Sequence, residues 1–285
     1  MAPLIARLTR RPAVLMASVM VVAAALAAAA EPPPAAELGI GFLWYARSQE
    51  AASRLDSERD FVDLILGGEK LRVFDEVRPP VRVVCLSLAL RRHAVRPFPG
   101  VAETIEMLRA ASIDPERVII GYNPERAPGT TPEEMDNLLE SVIAAKEMAD
   151  GFGCPLLVGP GLREMQQREE LYPQLAKHCD IWLIQSQSLQ MHITRELKTP
   201  EEYRAGVERI VEMLREGNPE IQVFVQIVAG GKPDGDLFTA EELVERIRAI
   251  EDLVDAVRIY GGSPGLLNGV IDLLRPPPPG EAAED

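Results

Sequence analysis

Short apolar runs rich in β-branched residues alternate along the chain with longer stretches of mixed polarity. The runs are IGFLWYA (40–46), VRVVCLSL (81–88), RVIIGY (117–122), PLLVG (155–159), DIWLIQ (180–185), IQVFVQIV (221–228) and AVRIY (256–260). Their length and composition predict strands buried on both faces. Between them, apolar residues fall at helical spacing. Met135, Leu138, Leu139, Val142 and Ile143 make one such set, and Tyr203, Val207, Ile210, Val211 and Leu214 another. Each set is a single stripe, as a helix laid on a sheet requires. Three helices open alike: TPEE at Thr131, TPEE at Thr199 and TAEE at Thr239 place Thr at the N-cap and Glu three residues on, the pattern of a capping box.

Strand and helix in regular alternation predict a parallel sheet. After the first strand, residues 48–66 (SQEAASRLDSERDFVDLIL) read as a helix, and LRVFDEV (71–77) offers an eighth strand with a degenerate connection. Seven or eight such units favour a TIM-like (β/α)8 barrel, irregular at its N-terminal units, over an open doubly wound sheet. No G-x-G-x-x-G follows the first strand and no G-x-x-x-x-G-K-[ST] occurs, which removes support for the nucleotide-binding versions of the open sheet.

The ends read differently from the middle. Residues 1–30 combine Arg7, Arg10 and Arg11 with an Ala-rich apolar run and small residues before Glu31, the pattern of an export signal peptide. The expectation is a protein exported to the periplasm or secreted, without a stable membrane anchor once cleaved; an uncleaved anchor is the competing reading. Residues 31–37 form a Pro-rich linker, 38–275 the single barrel domain and 276–285 a Pro-rich acidic tail that cannot pack. With 44 acidic against 30 basic residues the net charge is −14, and loss of the three leader arginines makes the rest more acidic still. Nucleic acid and anionic lipid are poor partners for such a chain. Oligomeric state is not legible.

Alternation along the strands picks out a lumen face. In IQVFVQIV, Ile221, Val223, Val225 and Ile227 suit the helix layer, leaving Gln222, Phe224, Gln226 and Val228 inside. The same rule turns Gln185 and Gln187, and Arg258 and Tyr260, inward. Ligands bind such barrels at the C-terminal mouth, so Gln185, Gln187, Gln226 and Tyr260 are candidate binding residues, whereas Gln222 and Arg258 lie deeper. Other strand ends add Trp44, Tyr122, Asn123 and Arg163. Glu125, two residues beyond Asn123 in a Pro/Gly-flanked loop, is the best-placed acid or base. Glu164 reads as a helix N-terminal acid, and Asp234 and Asp236 as solvated loop acids.

Cofactor and metal chemistry has little support. His93, His178 and His192 are scattered without ligand spacing, and no serine-hydrolase elbow occurs. Cys154 and Cys179 precede consecutive strands and either bridge or stay unpaired; Cys85 reads as a buried thiol.

The export signal, the βα repeat and the amide-rich mouth resemble the secreted glycosidase-type (β/α)8 barrels. That resemblance implies a neutral carbohydrate ligand. The family often has an Asn-Glu pair at a strand end; here Pro124 intervenes between Asn123 and Glu125. Hydrolysis needs two carboxyl groups, and only Glu125 stands out, so a non-catalytic carbohydrate-binding barrel is the alternative. RIYGGSPG also resembles the phosphate loop of triosephosphate isomerase. That gives a third reading, phosphate binding at Gly261, Gly262 and Ser263, against a plain turn into the last helix.

Overall fold

The computed structural model describes residues 37–45, 48–92, 98–126, 129–191, 196–230, 232 and 235–276. The export signal, most of the linker and tail, His93, His192 and Asp234 lie outside the described residues. Eight parallel strands close into a barrel in chain order: β1 Gly39–Leu43, β2 Phe61–Ile65, β3 Arg82–Ser87, β4 Val118–Tyr122, β5 Leu156–Val158, β6 Ile181–Gln185, β7 Gln222–Val228 and β8 Ala256–Tyr260. β8 pairs back onto β1 with Gly41 beside Arg258, so the ring leaves no free sheet edge.

The (β/α)8 architecture expected from the sequence is present, and its irregularity lies in the first units. Residues 48–66 are not one helix: only Gln49–Ala52 is helical, and Phe61–Ile65 is β2. The residue that misleads is Asp63. In an apolar run it looks like the polar side of a helix, but it is a lumen residue with a buried partner. LRVFDEV is not a strand either. It forms a 3-10 turn (Gly68–Arg72) and a helical turn (Val73–Glu76) that bury Val73 and Phe74.

Two apolar layers follow from strand alternation. Ile221, Val223, Val225 and Ile227 pack outward against the helices, as do Trp182 and Ile184. The lumen is filled by Phe61, Val84, Leu86, Ile119, Leu157, Leu183 and Phe224 among others, with the Phe61 and Phe224 rings stacked 4.9 Å apart. Halfway up, the lumen turns polar. Arg258 donates to Asp63 and to Gln226, all three buried. Burial pushes the Asp63 carboxyl above its ordinary value, opposed by the charge and hydrogen bond of Arg258.

The helices start where the sequence signals say. Thr199 and Thr239 form complete capping boxes: Glu202 N donates to Thr199 Oγ1 (3.2 Å) and Thr199 N to Glu202 Oε2 (2.9 Å), with the same exchange at Thr239 and Glu242. Thr131 caps only one way. Its partner Glu134 instead accepts from Leu90 N and the Tyr122 hydroxyl, each at 3.0 Å.

The two ends of the domain are joined. Arg275, just past the last helix (Pro264–Leu274), donates to both oxygens of buried Asp60 at 2.6 and 2.7 Å and to the Leu38 carbonyl at 3.1 Å. Asp60 in turn accepts from Ile40 N at 2.8 Å. Cys85, Cys154 and Cys179 are free and buried. The thiols of Cys154 and Cys179 donate weakly to the Ala149 and Leu175 carbonyls instead of bridging, and burial pushes Cys154 up to about 11. Among the described residues no helix is long and apolar enough to cross a membrane, and no three His, Cys, Asp or Glu gather as metal ligands.

Candidate functional site

β4 ends at Tyr122, so alternation turns Asn123 into the lumen at the C-terminal mouth while Tyr122 faces the helices. Glu125 follows as the chain bends. Its backbone N–H donates to Thr130 Oγ1 at 2.9 Å, and the Thr130 hydroxyl donates to the Leu88 carbonyl, which ties the loop after β4 to the end of β3. The Glu125 carboxylate then meets two amides. Asn123 Nδ2 and Gln185 Nε2 both donate to Oε1 at 3.1 Å. Gln185, the last residue of β6, also reaches Asn123 Oδ1 at 2.9 Å and the Gly159 carbonyl at 2.7 Å. Three residues singled out from the sequence therefore form one network spanning β4 to β6.

Two glycines make room for it. A Cβ on Gly159 would lie 2.9 Å from Asn123 Oδ1 and 3.0 Å from Leu183 Cβ. A Cβ on Gly161 would stand 3.4 Å from the Glu164 carboxyl carbon and 4.0 Å from Glu125 Cγ. Both side chains thus crowd one point. The Glu164 carboxyl is no farther from Glu125 Cγ than the sum of those distances, and Glu125's own carboxyl carbon is one bond beyond. This keeps the pair inside the upper limit of the roughly 5–9.5 Å over which two carboxyl groups flank a glycosidic bond. The sequence assigned Glu164 to a helix N-terminus. It does sit in the first turn of Leu162–Met165, with its carboxyl over Gly161, whose N–H donates to the Pro124 carbonyl of the loop after β4 at 3.4 Å. The signal was present in those two glycines. Thr130, Gly159 and Asp63 were likewise not picked out.

The remaining candidates divide. Tyr260 ends β8 at the mouth, 44% exposed, with the Arg258 guanidinium 5.5 Å from its ring centre. Gln187 is half-buried at the start of the turn Gln187–Gln190, because β6 stops at Gln185 and the strand alternation stops with it. Gln190 serves the fold: its amide accepts from Val228 N at 2.8 Å and donates to Val228 O at 3.3 Å, clamping the end of β7. Two candidates are corrected. Gln226 is 2% exposed and held by Arg258 in mid-lumen, since β7 runs on to Val228. Tyr122 is fully buried, its hydroxyl on Glu134. Trp44, partly buried at the end of β1, packs against the helix-side core. Arg163 is exposed on its helical turn.

The Gly-Gly-Ser loop builds a turn. Gly261 and Gly262 have φ of 83° and 96°, which glycine adopts freely. The Ser263 hydroxyl is already used as N-cap, accepting from Leu266 N at 3.2 Å. Tyr45 closes this corner by donating to the Gly262 carbonyl at 3.4 Å.

No protein-family model matches the sequence, and no curated protein matches it. Among solved structures, the spore cortex-lytic enzyme SleL of Bacillus megaterium QM B1551 aligns over 86% of this chain and 76% of its own, with a TM-score of 0.52 and 9% identity. The two share the barrel. The PgaB (BpsB) glycoside hydrolase domain from Bordetella bronchiseptica aligns over 83% of this chain and 96% of its own, with 8% identity and a TM-score of 0.47, too loose a likeness to build on. The (β/α)8 barrel expected from the sequence is therefore shared with a solved structure.

Proposed function

We propose that this chain is an exported glycoside hydrolase acting on a neutral carbohydrate at the C-terminal mouth, with Glu125 and Glu164 as its two carboxyl groups. The observation that carries the reading is a Glu held by two amides that borders the same glycine, Gly161, as a second Glu. Asn123 and Gln185 hold Glu125 Oε1 and leave Oε2 without a partner among the described residues. Oε2 is thus free to meet the glycosidic oxygen or a water. One carboxyl group gives a proton to the leaving oxygen while the other attacks the sugar or activates water. Gln187, whose amide both donates and accepts, and Tyr260 suit a ligand rich in hydroxyl groups. Among the described residues, the large exposed hydrophobics are Phe98, Leu237 and Tyr260, at 38%, 59% and 44%. All three lie on the C-terminal side of the barrel, after β3 and β7 and at the end of β8, where they offer apolar surface to sugar rings. The acidic charge of the chain fits a neutral ligand. Export rests on residues 1–30, and residues 31–37 and 276–285 are read as extensions of one domain.

The test is reducing-sugar release from a panel of neutral polysaccharides by the chain from Glu31 onward, beside Glu125→Gln and Glu164→Gln. Release by the parent that is lost in both variants supports the assignment. Saturable glycan binding without release by any of the three proteins moves the chain to the non-catalytic class.

A further inference from the structure

The opposite end of the barrel holds a charged group that the fold does not use. Arg82 opens β3 on the lumen side, two residues below Val84, and beside it at the start of β7 is Gln222. Two cavities of about 550 and 590 Å³ flank this N-terminal opening, and both are lined by Arg82 and Gln222. Arg82 Nε is buried without a partner. Nothing among the described residues pairs with its guanidinium beyond the neighbouring charge of Glu58, and desolvation lowers its pKa. The other cations of the walls are occupied or exposed. Lys146 is paired with Asp150 and Asp180, Arg117 donates to the Phe74 and Val77 carbonyls, and Arg59 lies at the surface. A buried Nε–H without an acceptor costs the free chain stability, and the fixed N–H donors of a guanidinium match a carboxylate bidentately.

The walls also say what else the ligand must carry. Glu58, Asp114, Glu116, Asp150, Asp180 and Glu220 outnumber the cations, so a bare anion meets net repulsion. Glu220 is exposed, lines the same cavity as Arg82 and has no cation of its own among the described residues. A ligand bearing both a carboxylate and an ammonium satisfies the two. We infer that this cleft binds a zwitterionic amino acid, its carboxylate on Arg82 and its ammonium on Glu220, with Gln222 lining the same cavity. This site is independent of the mouth and of the hydrolase reading.

The experiment follows the Arg82 Nε–H resonance in ¹⁵N-labelled protein, assigned by its loss in Arg82→Gln. The chain is titrated in turn with each of the twenty L-amino acids, sodium acetate, ethylammonium chloride and inorganic phosphate. The expected result is a saturable shift with at least one amino acid and none with the other three. Glu220→Gln is expected to weaken that binding at least tenfold at unchanged Tm. Arg82→Gln is expected to abolish binding and raise Tm, because it removes a desolvated charge. Sugar release, measured in parallel, stays unchanged in both variants. Absence of any amino-acid shift, an equal shift with acetate or phosphate, or a fall in Tm for Arg82→Gln overturns the inference.

Discussion

The two openings of the barrel treat their polar groups in opposite ways. At the C-terminal mouth, Asn123 and Gln185 aim their amides at Glu125 Oε1, and the loops that carry them are fastened through Thr130 and the Gly159 carbonyl. At the N-terminal opening, the Arg82 side chain stands between two cavities without a hydrogen-bond partner among the described residues. Between them lies a third arrangement, Asp63, Arg258 and Gln226, buried in the middle of the lumen. The difference separates a group that is positioned, a group that is stored and a group that is structural. Polarity at a barrel end therefore says little by itself; what matters is whether each donor already has its acceptor.

Each part of that division can be tested. If the mouth is the reacting end, Glu125→Gln lowers sugar release by about 10²–10⁴-fold, the range set by losing a general acid or base, while urea unfolding stays near the parent's. If the mid-lumen triad is structural, Asp63→Ala costs about 3–5 kcal/mol of stability, because Arg258 is left buried without its carboxylate; urea unfolding followed by circular dichroism measures it. Gln185→Ala takes away one of the two donors on Glu125, and sugar release falls roughly ten- to a hundredfold, the worth of a hydrogen bond to a charged group. Thr199→Ala, which removes a helix cap and none of these groups, costs about 1 kcal/mol and leaves sugar release alone. The smallest effect is expected from Ellman's reagent: the folded chain at pH 8 shows almost no thiol reaction, and all three cysteines react once it is unfolded, since each is buried and free.

Seven of the eight strands were legible because their runs are short, apolar and bounded by turns, and because Thr199 and Thr239 mark helix starts with a local hydrogen-bond exchange. β2 was not, because its interior Asp63 obeys a partner 195 residues away in sequence, and no local period reports that. The mouth was half legible. Asn123, Glu125 and Gln185 follow from counting residues to a strand end, but Gln187 and Gln226 show the limit of counting: β6 stops before the one and β7 runs past the other. Glu164 lay hidden because its approach to Glu125 depends on atoms that Gly159 and Gly161 do not have.

The contact between Arg275 and Asp60 bears on how the barrel comes to exist. It joins residues 215 positions apart, and the pairing of β8 with β1 spans a similar stretch of chain. During synthesis from the N-terminus, β1 can gain its second neighbour only after nearly the whole domain has been made. Contacts of such long sequence separation slow folding, because loop closure precedes any reward. The nascent chain thus keeps one side of β1 unpaired until β8 has been made.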